Sequence, residues 1–84
     1  MFLAAQVSIY PMRKAHLTEP IDRALKVFEA SGLDVSTGPM SSIVAGEGEA
    51  LFTALRDAFQ GIAENDPVVM VVTLSNTCPV PQRG

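Results

Sequence analysis

Apolar and polar side chains alternate along residues 3–10, LAAQVSIY: Leu3, Ala5, Val7 and Ile9 fall on one face, Ala4, Gln6, Ser8 and Tyr10 on the other. A period of two predicts a β-strand with one apolar face. Pro11 is expected to end its pairing, because proline has no N–H to donate. The period changes over residues 18–31, where Ile21, Ala24, Leu25 and Phe28 recur at helical spacing. Thr18 can cap this helix, and Pro20 is tolerated in its first turn. Glu19/Arg23 and Asp22/Lys26 are i,i+4 pairs on its wet side. Ser31-Gly32 closes it with a residue that accepts positive φ.

Two short strands follow, about 33–37 and 41–46, with Gly38-Pro39 at the bend between them. Glu47 and Glu49 flank the start of a second helix, where carboxylates complement the macrodipole. Its inner stripe reads as Leu51, Leu55, Ala58, Phe59 and Ile62, with Phe52 beside it. Asn65-Asp66-Pro67 is turn chemistry. Residues 68–76 form the last strand, apolar in both alternating sets and so expected to be covered on both faces. The order β-α-β-β-α-β predicts an α+β, ferredoxin-like sandwich, with two helices on one face of a four-stranded antiparallel sheet. Ile21, Leu25, Phe28, Leu55 and Phe59 are its expected core.

Length and charge narrow the function. The 84 residues, 1–84, make one small domain with a modest core, of the kind that gains stability by oligomerising. Charged residues are only 18%, which points to surface covered by a partner. Strand four is apolar on both sides, so a homodimer or tetramer built through the open sheet face is expected. A net charge of −3 with six Lys and Arg speaks against nucleic acid as a partner. No apolar run reaches the ~18–20 residues that span a membrane. A lone cysteine and a start without a basic segment favour the cytoplasm.

Candidate chemistry is sparse. His16 and Cys78 are single and lack metal-ligand spacing, so neither a metal nor a cofactor is expected. The loop PMRKAHLTEP holds Arg13 but no glycine, which excludes a phosphate cradle of the acylphosphatase kind. Glu47 and Glu49 read as helix-start residues, and Met12, Met40 and Met70 as filler. What remains is a set of small polar groups near strand ends: Ser8 and Tyr10, Ser41-Ser42, and the run SNTCP that finishes strand four.

The segments VSIYPM, PMSSIVAGEGEALFTALRDAF and VVTLSNTCP occur in this order across residues 4–79. Together they resemble the YkoF-like thiamin/hydroxymethylpyrimidine-binding family, in its single-domain form. Ser8-x-Tyr10-Pro11-Met12 matches an S-x-Y-P-[ML] motif near strand one, and Ser42-x-Val44-x-Gly46 a [ST]-x-[VI]-x-G strand. Ala45 departs from the pattern, since relatives often carry a charged residue before that glycine. The resemblance implies a small-molecule binding protein, not an enzyme, for thiamin or its hydroxymethylpyrimidine precursor, in salvage or transport. It implies a ligand held by Ser8, Tyr10, Met40, Ser42, Asn76 and Thr77, with Asn76 on the aminopyrimidine edge and Tyr10 against a ring. A small oligomeric α+β enzyme or enzyme subunit with its active site in the open-face cleft is the alternative. A structural interaction module is the third reading.

Overall fold

The computed structural model describes residues 1–12, 18–39 and 41–77. Six elements run in the expected order: β1 (Phe2–Pro11), α1 (Thr18–Ala30), β2 (Asp34–Thr37), β3 (Ser42–Glu47), α2 (Gly48–Ala63) and β4 (Val68–Ser75). The sheet order is β2-β3-β1-β4 and every pairing is antiparallel. This is the ferredoxin-like α+β fold.

The alternation in β1 sets the layers. Ala5 and Val7 are buried beneath the helices, with Leu3 and Ile9 packed partly against the same core. Paired residues share a face in an antiparallel sheet, so register assigns the rest. Val44, opposite Ala5, and Val72, opposite Val7, point toward the helices. Gln6, Ser8 and Tyr10 share the open face with Thr73, Val71 and Val69.

Pro11 keeps its place in the strand, paired with Val68. Met12 N donates to Pro67 O at 2.9 Å, so by alternation the nitrogen of Pro11 points the other way. On that side β3 has already ended, at Val7↔Ser42, and no donor is needed.

Helix α1 closes on Gly32 at φ 78°, as its sequence predicts. Gly32 N donates to Glu29 O at 3.2 Å and Leu33 N to Phe28 O at 3.4 Å, the paired bonds of a Schellman turn. Leu33 is therefore a buried turn residue and not the first residue of β2. Its side chain occupies the space where a Cβ on Gly46 would stand, which accounts for the glycine in β3.

One helix face differs from expectation. Leu51, Ala54, Ala58 and Ile62 are the buried residues of α2. Leu55 is only partly buried, as are Ile21 and Leu25 of α1, and Phe59 is 38% exposed, with Phe52 at 52%. Two stripes at helical spacing compete here. The stripe rich in alanine wins because α1 lies beside α2, and small side chains let the two helices approach.

Strand β4 also ends earlier, at Ser75, and one of its faces is bare in the single chain: Val69 is 48% and Val71 51% exposed. No helix among the described residues is long and apolar enough to cross a membrane.

Candidate functional site

The β2–β3 hairpin builds one end of a small pocket. Gly38 N donates to Ser41 O at 2.8 Å, which closes the hairpin tightly beyond Thr37 and Ser42. Register puts Thr37 opposite Ser42, and Ser42 opposite Val7, all on the helix side of the sheet. Helix α1 crosses above. Between them lies a pocket of about 110 Å³ lined by Val7, Ile9, Ile21, Leu25, Phe28, Thr37 and Ser42, with Gly38, Pro39 and Ser41 beside them. Its floor is aliphatic and aromatic carbon, and its hairpin wall carries hydroxyls.

Ser42 therefore reaches the pocket, but Ser8, Tyr10, Asn76 and Thr77 do not join it there. Ser8 and Tyr10 lie on the opposite face of the sheet, since each alternates with Val7 and Ile9. Asn76 and Thr77 follow Ser75, which pairs with Ala4, whereas Tyr10 pairs with Val69. Six residues of β1 separate the two positions, or roughly 20 Å of strand. Convergence of all these groups on one site within a chain is thus corrected: period two splits Ser8 from Ser42, and antiparallel register sends Asn76 to the far end. Met40, His16 and Cys78 lie outside the described residues.

The polar end of β4 has a local explanation. Thr77 N donates to Ser75 Oγ at 3.0 Å, and Ser75 Oγ and Thr77 Oγ1 lie 3.1 Å apart. The hydroxyls turn the chain as it leaves the sheet, and Asn76 is exposed. On the open face, Gln6 Nε2 donates to Ser41 Oγ at 3.2 Å. A second hollow of about 830 Å³, along Met1, Leu3, Glu47, Gly48, Glu49, Phe52 and Thr53, is wider. Its walls are exposed side chains such as Met1 and Phe52, so it is surface relief and encloses nothing. Among the described residues no cluster of His, Cys, Asp and Glu could hold a metal ion.

The model of the YkoF-related family matches residues 3–81. The chain belongs to the YkoF-related family. No curated protein matches it in sequence. Its fold is similar to that of a hypothetical protein of Methanocaldococcus jannascii, at TM-score 0.83 and 23% identity over 95% of this chain and 84% of that one. It is also similar to a candidate thiamine biosynthesis/salvage protein of Thermotoga maritima, at TM-score 0.81 and 19% identity over 92% and 85%. A domain of unknown function from Bacillus cereus aligns at TM-score 0.78 and 20% identity over 89% and 75%.

The family motifs divide between two roles in this YkoF-related chain. Gly46 of the S-x-V-x-G strand is a packing residue against Leu33. Ser42 of the same motif lines the pocket. Thr37 was not among the expected site residues, although a signal exists: Val35 and Thr37 share a face, so Thr37 places a hydroxyl at the end of an apolar row.

Proposed function

We propose that this YkoF-related protein is a small-molecule binding protein that takes the aminopyrimidine ring of thiamin, or of free hydroxymethylpyrimidine, into the pocket between α1 and the β2–β3 hairpin. The pocket itself carries the proposal. Its volume of about 110 Å³ is of the same order as the ~150 Å³ cavity that holds one benzene ring. One six-membered ring enters, and the remainder of thiamin stays at the mouth. Phe28, Leu25 and Ile9 give the ring an apolar bed, while Thr37 and Ser42 offer hydroxyls that both donate and accept. An aminopyrimidine presents an amine donor and ring-nitrogen acceptors to such groups. The family and the fold shared with the candidate thiamine biosynthesis/salvage protein of Thermotoga maritima support the choice of ligand. Hydroxyls and hydrocarbon bind a neutral ring but supply no base at neutral pH, which favours binding over catalysis.

A second copy of the chain covers the open face in this proposal. Tyr10, Val69 and Val71 are all near half exposed there, and the small side chains of Ala4 and Ala45 let another sheet approach. Calorimetric titration with thiamin and with hydroxymethylpyrimidine tests the ligand. Heat and a thermal shift with either compound are expected; neither signal with both compounds sinks the reading. Light scattering tests the assembly, and a monomer mass at micromolar concentration contradicts it.

A further inference from the structure

The hairpin that walls the pocket is also held from the other face of the sheet. Its two pocket hydroxyls belong to Thr37 and Ser42. Their chain neighbours, Gly38 and Ser41, tie the turn: Gly38 N donates to Ser41 O at 2.8 Å. A Cβ on Gly38 would stand 3.1 Å from that same oxygen, so the turn is closed as tightly as a residue without a side chain allows. Ser41 precedes Ser42 directly and grips the residue that follows Thr37. Whatever holds Ser41 therefore sets both hydroxyls.

The strand ladders stop just short of it. The β1–β3 pairing ends at Val7↔Ser42 and the β2–β3 pairing at Thr37↔Ser42. Past these last pairs a side chain makes the link to β1, where Gln6 Nε2 donates to Ser41 Oγ at 3.2 Å. Gln6 pairs with Ile43, so the bond runs diagonally along β3, within the reach of a long side chain. Its two ends differ in firmness. Gln6 sits on the strand between β3 and β4, and its neighbours Ala5 and Val7 are buried. The outer strand of the hairpin, β2, is four residues long and lies at the sheet edge. Gln6 itself is exposed and is no part of the pocket lining. A glutamine on an open sheet face can be served by water alone; the place of its partner gives this one a further role.

We infer, taking that pocket as the ligand site proposed above, that Gln6 is a positioning residue: acting through Ser41 from the opposite face of the sheet, it sets the hairpin wall on which Thr37 and Ser42 present their hydroxyls. Without the bond the turn keeps its fold but moves more, and the two hydroxyls meet a ligand in register less often. Water competes for an exposed bond, so the effect is graded and not all-or-none.

Amide exchange and calorimetric titration on the intact chain test the role. Gln6→Met keeps the length of the side chain and deletes the bond. The Gly38 amide is expected to exchange roughly two- to tenfold faster, while the amide of Ala58, inside α2, is unchanged. The dissociation constant for hydroxymethylpyrimidine should rise by a similar factor. Gln6→Glu should restore both values, because at neutral pH its carboxylate accepts from the Ser41 hydroxyl. Gln6→Met/Ser41→Ala should be no worse than Ser41→Ala, since one bond is lost only once. Thr73→Val, beside Gln6 on the same face, should match the wild type. A Gln6→Met protein with wild-type Gly38 exchange overturns the inference, as does one in which Gly38 and Ala58 accelerate equally. So does a Gln6→Met protein that binds hydroxymethylpyrimidine as the wild type does, or a Gln6→Glu protein that behaves like Gln6→Met. If the wild type gives no heat with thiamin or hydroxymethylpyrimidine, the proposed function falls, and Gly38 exchange alone then decides whether Gln6 holds the hairpin.

Discussion

Two strand ends in this molecule look alike in sequence and differ in structure. The hairpin end has Thr37, Ser41 and Ser42; the β4 end has Ser75, Asn76 and Thr77. Both place small polar residues at the end of an apolar row. At the hairpin, Thr37 and Ser42 follow the helix-side rows of Val35 and Val44, and α1 roofs them. At the end of β4, the hydroxyls of Ser75 and Thr77 meet each other and a backbone N–H in an exposed turn. Polarity at a strand end thus marks a pocket only where an apolar floor lies beneath it and a second element covers it.

The largest way to break this comparison is to remove the apolar cover that α1 supplies. Phe28 has no exposed surface and lines the pocket from α1. Phe28→Ala should cost roughly 3–5 kcal/mol, from lost burial and the cavity left behind. Urea denaturation measures it, and a loss below about 1 kcal/mol would mean that α1 is not packed over the pocket as described. Ligand binding should fall with it.

A smaller change separates the two ends directly. Thr37→Val keeps the shape of the side chain and deletes its hydroxyl. A ligand group left without its partner costs about 1–3 kcal/mol. Hydroxymethylpyrimidine affinity should therefore drop roughly tenfold or more, since ~1.4 kcal/mol is a factor of ten. Ser42→Ala should act in the same direction. Asn76→Leu, at the other end, should leave the titration unchanged. The opposite pattern, with Asn76→Leu weakening binding tenfold and Thr37→Val silent, would move the ligand to the end of β4.

The fold was legible because its elements have strong periods. Residues 3–10 alternate cleanly, and Ile21, Ala24, Leu25 and Phe28 admit only one buried face. The second helix was harder. Phe59 and Ala54 each complete a helical stripe, and hydrophobicity alone favours the phenylalanine. The decision belongs to α1, whose closeness rewards alanine, and that contact is tertiary. The site was legible in residue type but not in place. Parity along β3 puts Ser42 with Val44, yet whether that face meets Ser8 depends on the register Val7↔Ser42. Asn76 was attractive because amides read pyrimidines well. Its distance from Tyr10 follows from antiparallel pairing along the whole of β1 and is invisible in either segment alone.

The finest prediction concerns the turn that ends β4. Ser75 Oγ accepts from Thr77 N at 3.0 Å, and both residues lie outside the pocket lining. Ser75→Ala removes that acceptor. The bond is exposed, so water replaces it, and the net loss belongs at the low end of the usual range, about 0.5 kcal/mol. Thermal unfolding should shift by only a few degrees. Ligand affinity should stay within error of the wild type, because the change lies across the sheet from Thr37 and Ser42. A Ser75→Ala protein that unfolds like the wild type but binds hydroxymethylpyrimidine markedly less well would show that the hydroxyls at the end of β4 serve a ligand after all, and the contrast between the two strand ends would fail.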